Sequence, residues 1–462
     1  MLKYYEEYVP ENLSVYEYLV RECSEYMNLD AVRFYGKAFS YERMLKEIDR
    51  IAKALIASGI QKDDVVASSL PGCPEGIFLI YAINKIGAIY CAFDCRARKK
   101  EIEDTLNTFK PKLCFIPSFQ IKEFSNIKEH SIVYINITHS LNFFVKAACF
   151  TADFFKGRIF LCMKHRNFVS YDTFLNRAKK CESIQPDKST ENVFGYFYTS
   201  GTTYGRKSVI LTNENTNSAV WQQRIANPRS VPGDKFMNIM PLFTCYSVVL
   251  ALHSPLTVGV CVEIIPLLNP KKLKNVLLNI KPNFLATVPA HWETFITENF
   301  DNCDLSFMKA VAVGGDVLKS SSKNQINEIF EKCGCPNALV IGYGLSETTS
   351  TTTTGMHNTP ANSVGRPFIN TLIQICDPET LKPLAPYEKG EICIHGPTVC
   401  RGYYNDPTMT KSLLKMHDDG RVWLHSGDCG YIDESGAVYF CERYKRMYVR
   451  FDGSKISPYD IE

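Results

Sequence analysis

Residues 198–212 read YTSGTTYGRKSVILT. Thr199, Ser200, Thr202 and Thr203 crowd around Gly201, and Lys207 follows closely. Hydroxyls and exposed backbone N–H groups donate to phosphate oxygens, and a lysine neutralises their charge. Apolar runs flank the segment at 193–198 and 209–211, which predicts a loop between two strands. A Walker loop leads instead from a strand into a helix and ends in G-K-[ST], so that reading is excluded. The plain alternative for a loop this rich in small hydroxyl residues is a polar surface turn.

Working outward, the chain alternates in a way that suggests a parallel α/β sheet. Leu45, Ile48, Ile51, Leu55 and Ile56 recur at helical spacing over 41–58, with Ser40 to cap the start and Gly59 past the end. A strand is expected at 65–70, a buried helix at 75–86 and a strand at 88–93. The rhythm continues with strands at 112–116, 131–136, 235–240, 260–265, 284–288 and 309–313, and helices at 271–280 and 320–332. After about residue 360, short apolar runs at 372–376, 391–395 and 437–440 alternate with Gly, Pro and Asp, as in a smaller β-rich unit. In 140–180, Phe143, Phe144, Phe150, Phe154 and Phe155 with Lys146, Lys156 and Arg158 fit a buried helix face better than a membrane contact.

The chain has 462 residues, more than the roughly 100–200 of one domain, so at least two compact units are expected. With 45% hydrophobic and 22% charged residues it fits neither a disordered tail, a collagen-like chain nor a membrane-embedded bundle. A net charge of +3 gives no bulk preference for nucleic acid or anionic lipid. Its 18 cysteines include no C-x-x-C pair and no zinc-finger spacing. They read as reduced, mostly buried thiols of a cytoplasmic protein. The stretch 76–93 contains Asn84, Lys85 and Gly87, so helix followed by strand is expected rather than a membrane span.

Several further segments, in a fixed order, make the loop specific. Residues 198–212 resemble the phosphate loop T-S-G-T-T-G-x-P-K-G of the adenylate-forming superfamily, which includes acyl-CoA synthetases, peptide-synthetase adenylation domains and luciferases. The chain departs from that pattern at Tyr204, Arg206 and Ser208. GYGLSET at 342–348 resembles the Y-G-x-[ST]-E motif. By that resemblance Tyr343 and Gly344 lie against adenine, Ser346 reaches the α-phosphate and Glu347 holds Mg²⁺. GEICIHGPTVCRGYYNDP at 390–407 resembles a largely structural stretch, and SGD at 426–428 the motif whose aspartate, here Asp428, binds the ribose hydroxyls. Residues 442–462 resemble the hinge and the first C-terminal strands, with Arg443 on ribose or phosphate and Lys445 at the hinge. KAVAVGGDVL at 309–318 resembles the adenine-side strand and turn, Gly314–Gly315–Asp316, and residues 40–95 resemble the opening region.

The resemblance implies a large N-terminal domain of two stacked α/β subdomains, at 1–190 and 191–360, the second carrying the phosphate loop. A β-rich subdomain at 361–441 and a hinge at 442–462 follow. The family's adenylation lysine lies well past Glu462, so a C-terminal domain largely absent from a truncated chain is expected. The implied chemistry is attack of a carboxylate on the α-phosphorus of ATP, with Lys207, Ser346 and Glu347 as the catalytic group.

Residues 241–247, PLFTCYS, resemble the P-L-F-H-x-Y segment of acyl- and aryl-CoA ligases, with Thr244 in place of His. Amino-acid-activating members carry an aspartate there; here no acid follows until Glu263, and an unpaired ammonium is expensive to bury. Thr244, Cys245, Tyr246, Ser247, Val313 and Thr348 are the expected lining of the acid pocket, with Gly314 beside them. Three functions stay open at this stage. One is a ligase joining a fatty or aromatic acid to CoA. Another is an adenylation enzyme that loads a carrier protein, and the third is a nucleotide-binding protein without turnover. No nucleic-acid partner and no stable membrane insertion are expected.

Overall fold

The computed structural model describes residues 12–141, 167–199, 207–355, 359–360 and 362–444, several positions between 151 and 162, and the short strands Tyr448–Val449 and Lys455–Ile456. Two seven-stranded sheets and a smaller antiparallel sheet organise them. The first sheet runs Phe168–Ser170, Ser131–Ile135, Leu113–Pro117, Val65–Ser68, Ile89–Ala92, Val193–Tyr198 and Ser208–Thr212 in spatial order. Its pairs are parallel except the last, a hairpin. The second runs Val340–Ile341, Ala310–Val313, Phe284–Thr287, Lys235–Asn238, Cys261–Ile264, Asp30–Phe34 and Lys37–Ser40. Again all pairs are parallel except the terminal hairpin.

The continuous apolar runs of the expected strands follow from this arrangement, because a parallel sheet is covered on both faces. Helix Pro74–Lys85 is buried along its whole length and touches strands of both sheets, Ile89–Ala92 and Asp30–Phe34. Helix Tyr41–Ala57 packs beside it, capped by Ser40, whose hydroxyl accepts from the Arg43 amide. The largest core joins Val66 and Phe115 of the first sheet to Phe34 and Val262 of the second. Tyr41 reaches 219 residues along the chain to donate to the Val260 carbonyl.

The sheets cross the expected boundary at residue 190. Strands Val193–Tyr198 and Ser208–Thr212, which flank the phosphate loop, complete the first sheet, and Asp30–Phe34 and Lys37–Ser40 belong to the second. The physical reason is pairing: Tyr90 aligns with Gly195, and Val32 with Val262. A Cβ on Gly195 would fall 2.7 Å from the Tyr90 carbonyl oxygen, so glycine permits that approach. In the third sheet, Leu372–Cys376, Gly390–His395, Val422–Ile432 and Leu414–Met416 lie in order, and Val438–Arg443 also pairs with the long strand.

Within 140–180, Phe168, Tyr171 and Phe174 are buried, and Arg158 is paired with Asp153 at 2.6 Å. Phe143, Phe144, Lys146, Phe150, Phe154 and Phe155 lie outside the described residues, as does Lys445. Among the described residues no helix is long and apolar enough to cross a membrane. Every described cysteine is free, and most are buried.

Candidate active site

The strands on either side of the phosphate loop pair with Tyr198 opposite Ser208, and the Thr199 amide donates to the Lys207 carbonyl at 2.9 Å. Thr199 and Lys207 therefore face each other where two antiparallel strands end, and the flanking apolar runs are strands as predicted. Ser200, Gly201, Thr202, Thr203, Tyr204 and Arg206 lie outside the described residues. Residues 401–404 of the β-rich lobe run alongside this hairpin. The Ile210 amide donates to the Gly402 carbonyl at 2.9 Å and the Tyr404 amide to the Ser208 carbonyl at 2.8 Å. That docking brings Tyr403 to Lys207, whose Nζ sits 4.9 Å from the ring centroid. The Tyr403 hydroxyl donates to Glu347 Oε1 at 2.6 Å. One buried tyrosine thus bridges the loop lysine and the acid expected to hold the metal. Burial first, and Glu347 second, push the tyrosine hydroxyl well above its usual range, so it remains a donor.

The loop after Val340–Ile341 carries Tyr343, Gly344, Ser346 and Glu347. It folds back on its own continuation: the Tyr343 amide donates to the Thr353 hydroxyl at 3.1 Å, and the Thr352 amide to the Tyr343 carbonyl at 2.8 Å. A Cβ at Gly344 would fall 1.9 Å from the Ser350 carbonyl oxygen, so only glycine fits there. The Tyr343 hydroxyl donates to Asp428 Oδ2 at 2.7 Å, and Arg443 Nε lies 3.1 Å from Oδ1 of the same carboxylate. Asp428 is 1% exposed, and burial raises its carboxyl above the ordinary aspartate range, with Arg443 and Tyr343 pulling the other way. The ring expected beside adenine and the acid expected on ribose are therefore in direct contact.

The 314–316 turn leaves the neighbouring strand, Ala310–Val313. The Gly314 amide donates to the Thr287 carbonyl at 3.1 Å, the Gly342 amide to the Val313 carbonyl at 3.0 Å, and a Cβ on Gly314 would come within 3.2 Å of the Gly342 oxygen. Gly315 takes φ +84°, and Asp316 is exposed, its Oδ1 accepting from the Val317 amide at 2.9 Å. Both loops leave the carboxyl ends of adjacent parallel strands, the usual place for a ligand in an open α/β sheet.

The expected acid-pocket residues divide. Tyr246 extends across the strand ends, its hydroxyl 3.5 Å from the Thr287 carbonyl and 3.9 Å from a Cβ built on Gly314. Val313 is buried in the core of the second lobe, and Cys245, also buried, lies beside Ser346. The remaining hydroxyls serve their own backbone. Thr244 donates to the Pro241 carbonyl at 3.1 Å and accepts from the Ser247 amide at 3.2 Å. Ser247, wholly buried, donates to the Met240 carbonyl at 2.9 Å, and Thr348 donates to the Leu345 carbonyl at 3.1 Å. These three shape the turn that starts the π-helix Tyr246–His253 and the single helical turn Ser346–Thr348. Glu263, the nearest later acid in sequence, sits on a strand opposite Arg33.

Three residues join the site without a sequence signal of their own. Tyr403 lies inside a stretch that resembles a structural motif. Thr287 and His291 pair at 2.8 Å beneath Tyr246, and burial lowers the His291 pKa, keeping the imidazole neutral. A cavity of about 440 Å³ opens beside Lys207, lined by Tyr198, Ser208, Tyr403, Tyr404 and Asp406 among others. A second cavity, about 120 Å³, is lined by Lys37, Glu75 and His139 and by none of the motif residues.

Comparison with known proteins meets this geometry from outside. The family model described as AMP-binding enzyme matches residues 19–404. A long-chain-fatty-acid–CoA ligase of Bacillus subtilis (strain 168) is 26% identical, over 98% of this chain and 80% of that protein. 4-Coumarate–CoA ligase 4 of Arabidopsis thaliana is 24% identical, over 92% of this chain and 72% of its own length. Among solved structures, ATP-bound MatB from Rhodopseudomonas palustris superposes with a TM-score of 0.80 at 20% identity, covering 97% of this chain and 82% of that one. o-Succinylbenzoate CoA synthetase from Bacillus subtilis, in complex with its acyl-adenylate intermediate, gives 0.76 at 20% identity, over 96% and 81%. At these identities the structural likeness speaks for the fold.

Proposed function

The chain belongs to the AMP-binding enzyme family, and from that premise we propose that it activates a carboxylic acid with ATP and passes the acyl group to the thiol of CoA. In the first step a carboxylate oxygen attacks the α-phosphorus and the bond to pyrophosphate breaks, giving acyl-AMP. In the second a thiolate attacks the acyl carbonyl and AMP leaves. The single observation that carries the reading is the chain of contacts Lys207–Tyr403–Glu347. It ties the phosphate loop, the Y-G-x-[ST]-E loop and the β-rich lobe into one polar centre.

Each partner in the first step is anionic, so the site must supply cations and donors where charge collects. Lys207 and Thr199 meet the phosphates. Glu347 is an oxygen donor of the kind Mg²⁺ takes, and the ion held there would neutralise phosphate charge as pyrophosphate departs. Asp428, flanked by Arg443 and Tyr343, accepts from the ribose hydroxyls. Gly314–Gly315–Asp316 and Tyr343–Gly344 border the base, and Ser346 reaches the α-phosphate. Around Tyr246, the 241–247 stretch offers no carboxylate to pair an ammonium, which supports a fatty or aromatic acid over an α-amino acid. The 26% identical fatty-acid ligase and the 4-coumarate ligases support the same choice. Free buried thiols support a reducing, cytoplasmic setting.

The test is ATP–pyrophosphate exchange by a chain that extends through the family's adenylation lysine, over a panel of fatty, aromatic and amino acids, followed by product analysis with CoA and with a holo carrier protein. Exchange with fatty or aromatic acids and a CoA thioester product are expected. Absence of exchange with every acid, or highest exchange with a proteinogenic amino acid, overturns the reading.

A further inference from the structure

The β-rich lobe holds a second cluster of chemistry-bearing side chains, outside the nucleotide centre. Cys393, on strand Gly390–His395, is fully buried and registers directly opposite His425 on Val422–Ile432. Its Sγ lies 3.7 Å from His425 Nδ1 and 4.0 Å from Nε2. His417 follows the next strand, Leu414–Met416, and its Nε2 sits 2.9 Å from His425 Nε2. The three residues offer one ligand atom each, all within 4.8 Å of one another. We propose that Cys393, His417 and His425 form a binding site for a borderline-soft divalent cation, Zn²⁺ in the first place.

Three further observations favour a built site over a chance hydrogen-bonded histidine pair. Glu391 Oε2 lies 2.7 Å from His425 Nδ1, so that nitrogen donates to the carboxylate and Nε2 presents its lone pair. A carboxylate behind an imidazole is the support that metal-ligating histidines usually have. Glu391 is itself held, its other oxygen accepting from the Gly427 amide at 2.8 Å. His417 is fixed from its own hairpin: its amide donates to the Arg421 carbonyl at 3.0 Å, and its ring stacks on Trp423 at 5.6 Å. The Trp423 indole in turn donates to Asp419 at 3.1 Å.

The donor set, one thiolate and two imidazoles, suits Zn²⁺ better than Mg²⁺ or Ca²⁺. Bond lengths of about 2.0–2.3 Å at tetrahedral angles put ligand atoms roughly 3.3–3.6 Å apart. The 2.9 Å and 4.0 Å separations each need a shift of under about half an ångström. Cys376, wholly buried, is hydrogen-bonded to Cys393. Binding releases the Cys393 thiol proton to solvent, and the His417 proton moves from Nε2 to Nδ1. No electron is transferred.

The experiment uses the full 462-residue chain, stripped with chelator and titrated with Co²⁺, then with Zn²⁺ in competition. One equivalent of Co²⁺ is expected, with visible bands of a tetrahedral ion and a near-ultraviolet thiolate-to-cobalt charge-transfer band that Zn²⁺ abolishes. Glu391→Gln keeps the acceptor for Gly427 and should weaken binding by about 10–100-fold, as loss of an outer-shell carboxylate does. His417→Ala, at the half-buried rim of the lobe, should weaken it further still. Cys393→Ser should remove the charge-transfer band. No band in the unaltered chain, or unchanged affinity in His417→Ala, overturns the proposal. The spectrum of the unaltered chain decides the matter even where a variant fails to fold.

Discussion

Replacing Tyr403 with phenylalanine isolates one atom of the proposed centre. The ring stays, and with it the packing of a side chain only 7% exposed and the contact with Lys207 at 4.9 Å. What disappears is the hydroxyl that donates to Glu347 at 2.6 Å. A hydrogen bond to a charged group contributes about 1.5–3 kcal/mol. Glu347 is half-buried, so water replaces part of what is lost and the lower end of that range applies. About 1.5 kcal/mol corresponds to roughly a tenfold change in rate or affinity. The Tyr403→Leu variant also removes the ring face under Lys207, worth a further 0.5–2 kcal/mol or so. The assay is pyrophosphate release at saturating acid, run across Mg²⁺ concentrations, beside a thermal melt. Tyr403→Phe should lower kcat/KM about tenfold and raise the Mg²⁺ needed for half-maximal rate, with little change in melting temperature. Activity within twofold of the unaltered chain at every Mg²⁺ concentration would show that the hydroxyl does not orient Glu347, and the bridge from Lys207 to the metal acid would lose its role.

Asp428→Ala should cost roughly 1.5–3 kcal/mol of nucleotide affinity by calorimetry, since a charge-assisted acceptor for ribose is gone. The raised Asp428 pKa sets a direction for pH: the carboxylate is ionised well above its folded pKa, so nucleotide affinity should fall as pH drops through a point above the ordinary aspartate value of 3.8. An affinity flat down to that value contradicts the assignment. Glu347→Gln should depress adenylation sharply and resist rescue by more acid substrate, read as kcat rather than KM. Gly344→Ala forces a Cβ to within 1.9 Å of the Ser350 oxygen, and overpacking of this kind costs about 1–3 kcal/mol, visible as a lower melting temperature.

What the sequence disclosed depended on whether a residue's signal was local. Val65–Ser68, Ile89–Ala92 and Leu113–Pro117 are covered on both faces and show as apolar runs. Nine of the fourteen residues of helix Asn213–Ala226 are buried, yet its inward face carries Asn213, Asn215, Asn217 and Gln222, so no apolar stripe marks it. Each of those side chains makes at least one hydrogen bond: Asn84 donates to Asn213 Oδ1 at 2.7 Å, Asn215 donates to the Pro397 carbonyl at 2.8 Å, Asn217 to the Leu13 carbonyl at 3.0 Å and Gln222 to the Ile369 carbonyl at 2.7 Å. Hydrophobic periodicity is blind to such a helix. The hairpin of Asp30–Phe34 and Lys37–Ser40 turns at Tyr35–Gly36, both with positive φ, without an Asn-Gly or Asp-Gly pair to announce it. In the proposed site, Tyr343, Glu347 and Asp428 carry the signal of ordered motifs. Tyr403 does not, because its importance arises from the docking of residues 401–404 against a hairpin far away in sequence. The hydroxyls of Ser247 and Thr348 are committed to nearby backbone carbonyls, which residue type alone does not reveal.

The exchange of strands between the two lobes also bears on how the chain acquires its structure. Val32 and Phe34 leave the ribosome long before Val262 and Ile264, the strand they pair with. Until then that hairpin is an uncapped edge, the kind of surface that invites wrong pairing. Contacts of such long sequence separation require closing a large loop before they stabilise anything, which slows folding. A fragment ending at residue 190 would carry two strands of a sheet it does not possess and lack two strands of its own. The lobes are thus expected to resist separate expression, and refolding from denaturant should proceed as one slow, chaperone-sensitive event shared by both sheets rather than as two independent phases.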